Sequence, residues 1–325
     1  MILACAALFL AFSNGANDNF KGFATVWGAS SLSYRAALIL ANLATLSGGV
    51  VSIILAGGLV KQFSGRGLVD DAVATSTPFT LAVASGASLT IALATRLGFP
   101  VSTTHAIVGG LIGAALTSGQ SIAIGHLGQQ FILPLLTSPI LSALVAFAAH
   151  SVTRRLIVRP TVMGLSAAQR WQEPLVLTSA HILSAFTICF ARAVNDTPKL
   201  AALLFGVGLL GSWSGGLAVT AAMVLGGWLL SRRVAETMSL KLSEIDGIQG
   251  TTANLVTAGV VLAASAFALP VSTTHVSVGS IIGSGKAACS LDLSTVRNVL
   301  LSWVVTLPVA IFSAGAVMLV AGWQG

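Results

Sequence analysis

From Leu97 to Thr153 the sequence holds no Asp, Glu, Lys or Arg, and the same is true of Met1 to Asn17, Ala36 to Val60, Ala72 to Thr95, Pro174 to Ala191, Leu200 to Ser231, Gly247 to Gly285 and Asn298 to Gly325. A soluble globule has too few ways to cover such segments with water-facing groups. A bilayer covers them naturally, because a helix of about 20 apolar residues crosses its hydrocarbon core with every backbone group satisfied internally. Only 8% of the 325 residues are charged and 55% are hydrophobic. The chain therefore reads as an all-α polytopic membrane protein with about ten membrane segments.

The net charge of +7 does not point to nucleic acid, since the basic residues form no run on a soluble face and few aromatics lie among them. They mark topology instead. Arg154, Arg155, Arg159 and Arg170 gather in a central segment, and Arg232, Arg233 and Lys241 in the next polar one; the positive-inside rule assigns both to the cytoplasm. The expected division is a first half over 1–150, a basic cytoplasmic central loop over 151–175 and a second half over 176–325, in a plasma (inner) membrane, with both termini outside. The N-terminal run MILACAALFLAF lacks a basic leader segment and is expected to be a retained, rather short first span, which leaves open whether residues precede it. Cys5, Cys189 and Cys289 show no CxxC or metal spacing and are expected to be packing residues.

An internal repeat organises these segments. Pro-Val-Ser-Thr-Thr-His occurs unchanged at Pro100 to His105 and at Pro270 to His275, and Asn17-Asp18 with Lys21 returns as Asn195-Asp196 with Lys199. The first pair is offset by 170 residues and the second by 178, the difference fitting a longer first-half loop around Lys61 to Thr77. Five spans per half would make the copies enter the membrane in opposite directions, as two inverted-topology repeats with discontinuous helices. Packing alone would repeat small apolar residues; polar ones are costly to bury.

Each Pro-Val-Ser-Thr-Thr-His reads as a helix start. Proline suits a helix edge, Ser and Thr cap free N–H groups, and Gly109, Gly110 and Gly113, or Gly279 and Gly283, allow close packing behind. A helix starting inside a membrane aims N–H donors and its positive dipole end at whatever lies in front. Hydroxyls of Ser102, Thr103 and Thr104 facing Ser272, Thr273 and Thr274 would add donors for a tetrahedral oxyanion. The plain alternative is that these hydroxyls back-bond to helix carbonyls. Asp18 and Asp196 are the carboxylates near or inside spans, where an ionisable group costs about 3 kcal/mol or more. Beside Asn17 and Asn195 they suit Na⁺, or alone a proton; the alternative for Asp18 is a helix-end cap at the lipid interface. His105 and His275 suit either proton transfer or support of the Thr-rich turn. His126, His150 and His181 show no ligand spacing. Thr251, Thr252 and Asn254 could line a pathway, although their first-half counterparts Leu81, Ala82 and Ala84 are apolar.

Asn14-Gly15-Ala16-Asn17-Asp18, Asn195-Asp196 and the two hexapeptides together resemble the inorganic phosphate transporter (PiT) family, in the right order, from the first span to about Gly285. The resemblance implies a carrier with inverted repeats and re-entrant hairpins that moves phosphate by symport with Na⁺ or H⁺. By the same resemblance Ser102, Thr103, Thr104, Ser272, Thr273 and Thr274 line the anion site, and Asn17, Asp18, Asn195 and Asp196 serve the coupling cation, with no other metal and no cofactor. The chain departs from the family's Gly-Ala-Asn-Asp-x-x-Asn at matching positions: Lys21 and Lys199 replace the last Asn. In the second copy Ala193-Val194 stands for Gly-Ala, with Arg192 just before. Each ammonium either takes the place of Na⁺ or reaches the anion, which makes transport H⁺-coupled or weakly Na⁺-dependent, or it snorkels to the interface.

Competing activities fit less well. An intramembrane aspartyl protease lacks its Gly-x-Gly-Asp turn here, and a Ser102–His105 hydrolase would not need two copies, so no enzyme is expected. A passive anion channel would also use helix N-termini, and sulfate is as tetrahedral as phosphate, so a channel and a sulfate permease of the same fold stay open. A homodimer is an option the sequence does not decide.

Overall fold

The computed structural model describes residues 1–55, 60, 63–157, 175–205 and 211–321. Lys61 of the first-half loop, and Arg159, Arg170 and most of the central loop, lie outside the described residues.

Among the described residues, eleven α-helices of eight or more residues carry the fold: α1 (Ile2–Asp18), α2 (Lys21–Gly28), α3 (Tyr34–Leu55), α4 (Thr77–Leu97), α5 (Thr103–Thr117), α6 (Leu133–Ile157), α7 (Leu175–Phe205), α8 (Ser212–Leu230), α9 (Gly247–Ala266), α10 (Thr273–Ala288) and α11 (Leu293–Val320). Their ends follow local chemistry. Ser76 caps α4 by accepting from the Phe79 N–H, Pro78 sits in its first turn, and Gly98 closes it in the left-handed region. Asp246 caps α9 through the Gln249 N–H at 2.7 Å, and Asp292 caps α11 through Ser294 and Thr295.

Among the described residues, seven helical segments are long and apolar enough to cross a membrane, including Tyr34–Ile54, Thr77–Leu97 and Leu293–Val320. Leu136, Ile140, Leu144 and Phe147 on α6, with Val304, Val305 and Phe312 on α11, are exposed as lipid-facing residues are. Helices α1, α5 and α10 fall short at 17, 15 and 16 residues. At 1.5 Å per residue the latter two reach about 23 Å, less than the ~30 Å hydrocarbon core.

Helix pairing repeats within the chain. α1 packs on α4 and α8, while α7 packs on α9 and α3; α5 packs on α4 and α11, while α10 packs on α9 and α6. The glycine rows permit the α5–α11 and α10–α6 approaches: a Cβ on Gly113 would lie 2.2 Å from the Ile311 carbonyl oxygen, and one on Gly283, at the same offset of 170, 2.0 Å from that of Ala143. The repeat extends to backbone conformation. Gly98 (φ 78°) and Gly119 (φ 70°) are left-handed, and so are their counterparts Ala268 (φ 53°) and Cys289 (φ 58°), which carry a Cβ there. Of the cysteines only Cys189 is buried; Cys5 and Cys289 are exposed. The packing expectation therefore fails for these two, Cys289 because it occupies a helix-ending turn.

Candidate functional site

Both Asn-Asp motifs lie in the interior, on different backbones. Asp18 ends α1, Asn19 and Phe20 interrupt the helix, and Lys21 begins α2, whereas Asn195, Asp196 and Lys199 sit inside the continuous α7 with Pro198 among them. Asp18, Lys21, Asp196, Lys199 and Arg192 are each 3% exposed or less. Neither lysine snorkels, and Asp18 is no interfacial cap. Ionised groups so deep persist only when paired, since removing a charge from water costs several kcal/mol.

The pairs form within each copy. Lys21 Nζ lies 2.5 Å from Asp18 Oδ1, and Lys199 Nζ lies 3.2 Å from Asp196 Oδ1, both at i,i+3. Each ammonium also reaches the other copy's helix start: Lys21 donates to the Thr274 hydroxyl and Lys199 to that of Thr104, the latter at 3.1 Å. Lys199 further donates to the Val271 carbonyl at 2.8 Å. Asn14 ties the carboxylates together, its Nδ2 lying 3.2 Å from Asp18 Oδ2 and 3.3 Å from Asp196 Oδ2.

The six Ser and Thr hydroxyls expected to face one anion divide into three roles. Ser102 and Ser272 cap their helices by accepting from the His105 and His275 N–H groups at 3.0 and 3.2 Å. Thr103 and Thr273 donate to Asp18 and Asp196 at 3.3 and 3.5 Å. Thr104 donates to the Val271 carbonyl at 3.2 Å, and Thr274 to that of Val101 at 2.7 Å, so the two helix starts touch directly.

Asn17 and Asn195 do not offer their oxygens beside the aspartates as the sequence suggested. Asn17 donates to Thr95 and the Phe99 carbonyl and accepts from the Val101 N–H at 3.1 Å, fastening α1 to the loop before α5. Asn195 Oδ1 accepts from Ser265, and its nitrogen reaches Asp196 at 3.2 Å. A backbone N–H and a hydroxyl thus take up the two carboxamide oxygens. His105 and His275 meet edge to face with ring centroids 4.7 Å apart; His275 also stacks on Trp303 at 3.9 Å, whose indole donates to the Pro100 carbonyl. This favours their supporting role. Thr251 and Thr252 back-bond to carbonyls one turn earlier, and Asn254 donates to Thr25 and Ser184 in a separate buried cluster with His181. Among the described residues no group of three or more His, Cys, Asp or Glu forms a metal cluster.

Sequence reasoning missed Asn14, Asn19 and Thr45 as members of this network. Asn19 accepts from Thr45, and Arg192 donates to all three. Their signal was available: Asn42 and Thr45 stand polar and one turn apart inside the charge-free run of α3, and Asn42 accepts from Asn19 at 3.0 Å.

Paired buried charges meeting two short helix starts, inside a bundle of long apolar helices, define an integral membrane protein with a polar interior. The chain belongs to the phosphate transporter family, whose sequence model matches residues 14–314. It is similar to a "probable low-affinity inorganic phosphate transporter" of Mycobacterium bovis, 27% identical over 351 aligned positions that cover 100% of this chain and 79% of that protein. A Bacillus subtilis protein of the same description is 27% identical over 334 positions, covering 95% of this chain and 93% of its own length. Among solved structures, one described as "the sodium-dependent phosphate transporter" superposes with a TM-score of 0.81 at 24% identity over 98% of each chain. That last likeness is one of fold.

Proposed function

We propose that this chain is a secondary carrier that moves inorganic phosphate by symport with H⁺, and that Lys21 and Lys199 stand as tethered cations where Na⁺ would otherwise bind. The carrying observation is the reciprocal bridge: each lysine is shared between its own carboxylate and the opposite copy's helix start. Phosphate arriving between Thr104 and Thr274 draws the ammonium groups toward itself. A carboxylate so deprived of its partner is a buried, uncompensated charge and takes up a proton. Anion binding and proton binding are thereby linked at Asp18 and Asp196.

Charge balance favours phosphate over sulfate. Lys21, Lys199 and Arg192 against Asp18 and Asp196 leave the interior at one net positive charge when all are ionised. Dianionic phosphate with one proton neutralises it, and phosphate can bring that proton itself.

In this reading residues 1–150 and 176–325 are inverted repeats on either side of a basic cytoplasmic central loop, 151–175, in the plasma membrane. The exchange of helix partners, α5 with α11 and α10 with α6, supports that symmetry. α1, α5 and α10 complete ten membrane segments, the last two as short, discontinuous helices that start at the site. The reading is tested by uptake of radiolabelled phosphate into proteoliposomes under an inward proton gradient, with unlabelled phosphate or sulfate competing. Accumulation above equilibrium, blocked by phosphate and not by sulfate, is expected. Equilibration without accumulation would mean a channel, and sulfate as the better competitor would mean a sulfate permease.

A further inference from the structure

Arg192 is the buried charge that the lysine pairs leave unused. Its Nη1 donates to Asn14 Oδ1 at 3.1 Å and lies 4.0 Å from Asp196 Oδ2; its Nη2 donates to Asn19 Oδ1 at 3.2 Å and to Thr45 Oγ1 at 2.8 Å. Nε has no partner among the described residues. Two carboxamide oxygens, a hydroxyl and a carboxylate thus converge on one cation from α1, the α1–α2 junction, α3 and α7. That is a hard-oxygen donor set of the kind that holds a small metal cation, and a guanidinium fills it.

The repeat shows how this arose. Arg192 lies 178 residues after Asn14, the offset that relates the two Asn-Asp motifs, so the two residues hold corresponding positions and touch. One copy contributes an oxygen ligand and the other contributes the cation. Lysine can lose its proton when buried, but guanidinium stays charged at any pH a cell reaches.

We infer that Arg192 is a specificity-determining residue that permanently occupies an oxygen cage, excludes Na⁺ from it, and holds the interior at a net positive charge. Replacing it by a neutral residue leaves the four oxygens lining the space vacated by the two guanidinium nitrogens, where they can close on a Na⁺. The inference needs no assumption about which ion drives transport, because its test reads binding.

The test compares full-length wild type, Arg192→Ala, Arg192→Gln and Arg192→Lys in detergent, by thermal unfolding in NaCl against choline chloride at equal ionic strength and by radiolabelled Na⁺ binding. Arg192→Ala and Arg192→Gln should gain a saturable rise in midpoint with NaCl and one further bound Na⁺ relative to wild type, and Arg192→Lys should gain neither. A neutral variant recovered folded in NaCl but not in choline chloride also supports the inference. Folded neutral variants that bind no more Na⁺ than wild type would overturn it. So would loss of both neutral variants in both salts, which would mean that the packing of the guanidinium matters and its charge does not. Should wild type prove Na⁺-driven, the H⁺ reading fails while this inference stands or falls on the additional Na⁺ alone.

Discussion

Lys21 and Thr274 stand 253 positions apart in the sequence and share a hydrogen bond in the interior. Lys199 and Thr104 make the corresponding bond in the reverse sense. The two lysines thereby fasten each copy's acidic motif to the other copy's helix start. If they stand where cations would bind, returning both positions to the family's Asn should reopen those positions. Lys21→Asn with Lys199→Asn should lower uptake in Na⁺-free buffer by about tenfold, a loss of ~1.4 kcal/mol, and NaCl should restore part of it. Uptake that stays Na⁺-independent in the double variant would count against the tethered-cation reading.

The bridges should also couple energetically. Residues sharing a buried hydrogen bond show non-additive effects of about 1 kcal/mol, so unfolding of Lys21→Met, Thr274→Val and the double variant should deviate from additivity by that amount. Lys199→Met with Thr104→Val should do the same. Additive effects in both cycles would mean that the bridges carry no energy of their own.

The left-handed residues yield a stability prediction independent of function. Ala268 and Cys289 hold a conformation that their counterparts Gly98 and Gly119 adopt without a Cβ. Ala268→Gly and Cys289→Gly should each stabilise the protein by about 0.5 to 1 kcal/mol, the relief of left-handed strain less the added freedom of the unfolded chain. Thermal unfolding reads this directly, and Gly98→Ala should move the midpoint the opposite way.

Acid sensitivity should begin at one helix start. Hydrogen bonds from Ser294 and Thr295 hold the exposed Asp292 carboxyl below its ordinary value. A carboxyl lowered in this way stabilises the fold above its unfolded value, and the contribution is lost as pH falls through the lowered one. Protection of the first-turn amides of α11, taken relative to their intrinsic exchange rate at each pH, should fall on acidification, and in Asp292→Asn that fall should be absent.

The helical class, the membrane setting and the repeat were legible because burial in lipid forbids charge and the repeated residues are polar. The positions of Lys21 and Lys199 were legible as departures, yet the opposite-copy partner of each was not, since i,i+3 spacing predicts only Asp18 and Asp196. Asn17 and Asn195 misled for a related reason: sequence adjacency set them beside the aspartates, while a backbone N–H at Val101 and the Ser265 hydroxyl claimed their oxygens. The shortness of α5 was hidden in a charge-free run, Leu97 to Thr153, that continues past both its ends, and that of α10 in a run that begins well before it at Gly247. The oxygen cage around Arg192 was scattered over α1, α3 and α7, and only the fold brings its members together.

Fixed lysines in place of bound Na⁺ should free phosphate uptake from any need for Na⁺. The most direct measurement is initial phosphate uptake into proteoliposomes of the wild-type chain, under an inward proton gradient, with all Na⁺ replaced by choline at constant pH. Uptake should persist undiminished and collapse when a protonophore dissipates the gradient. Uptake that vanishes in choline and returns with NaCl would contradict this.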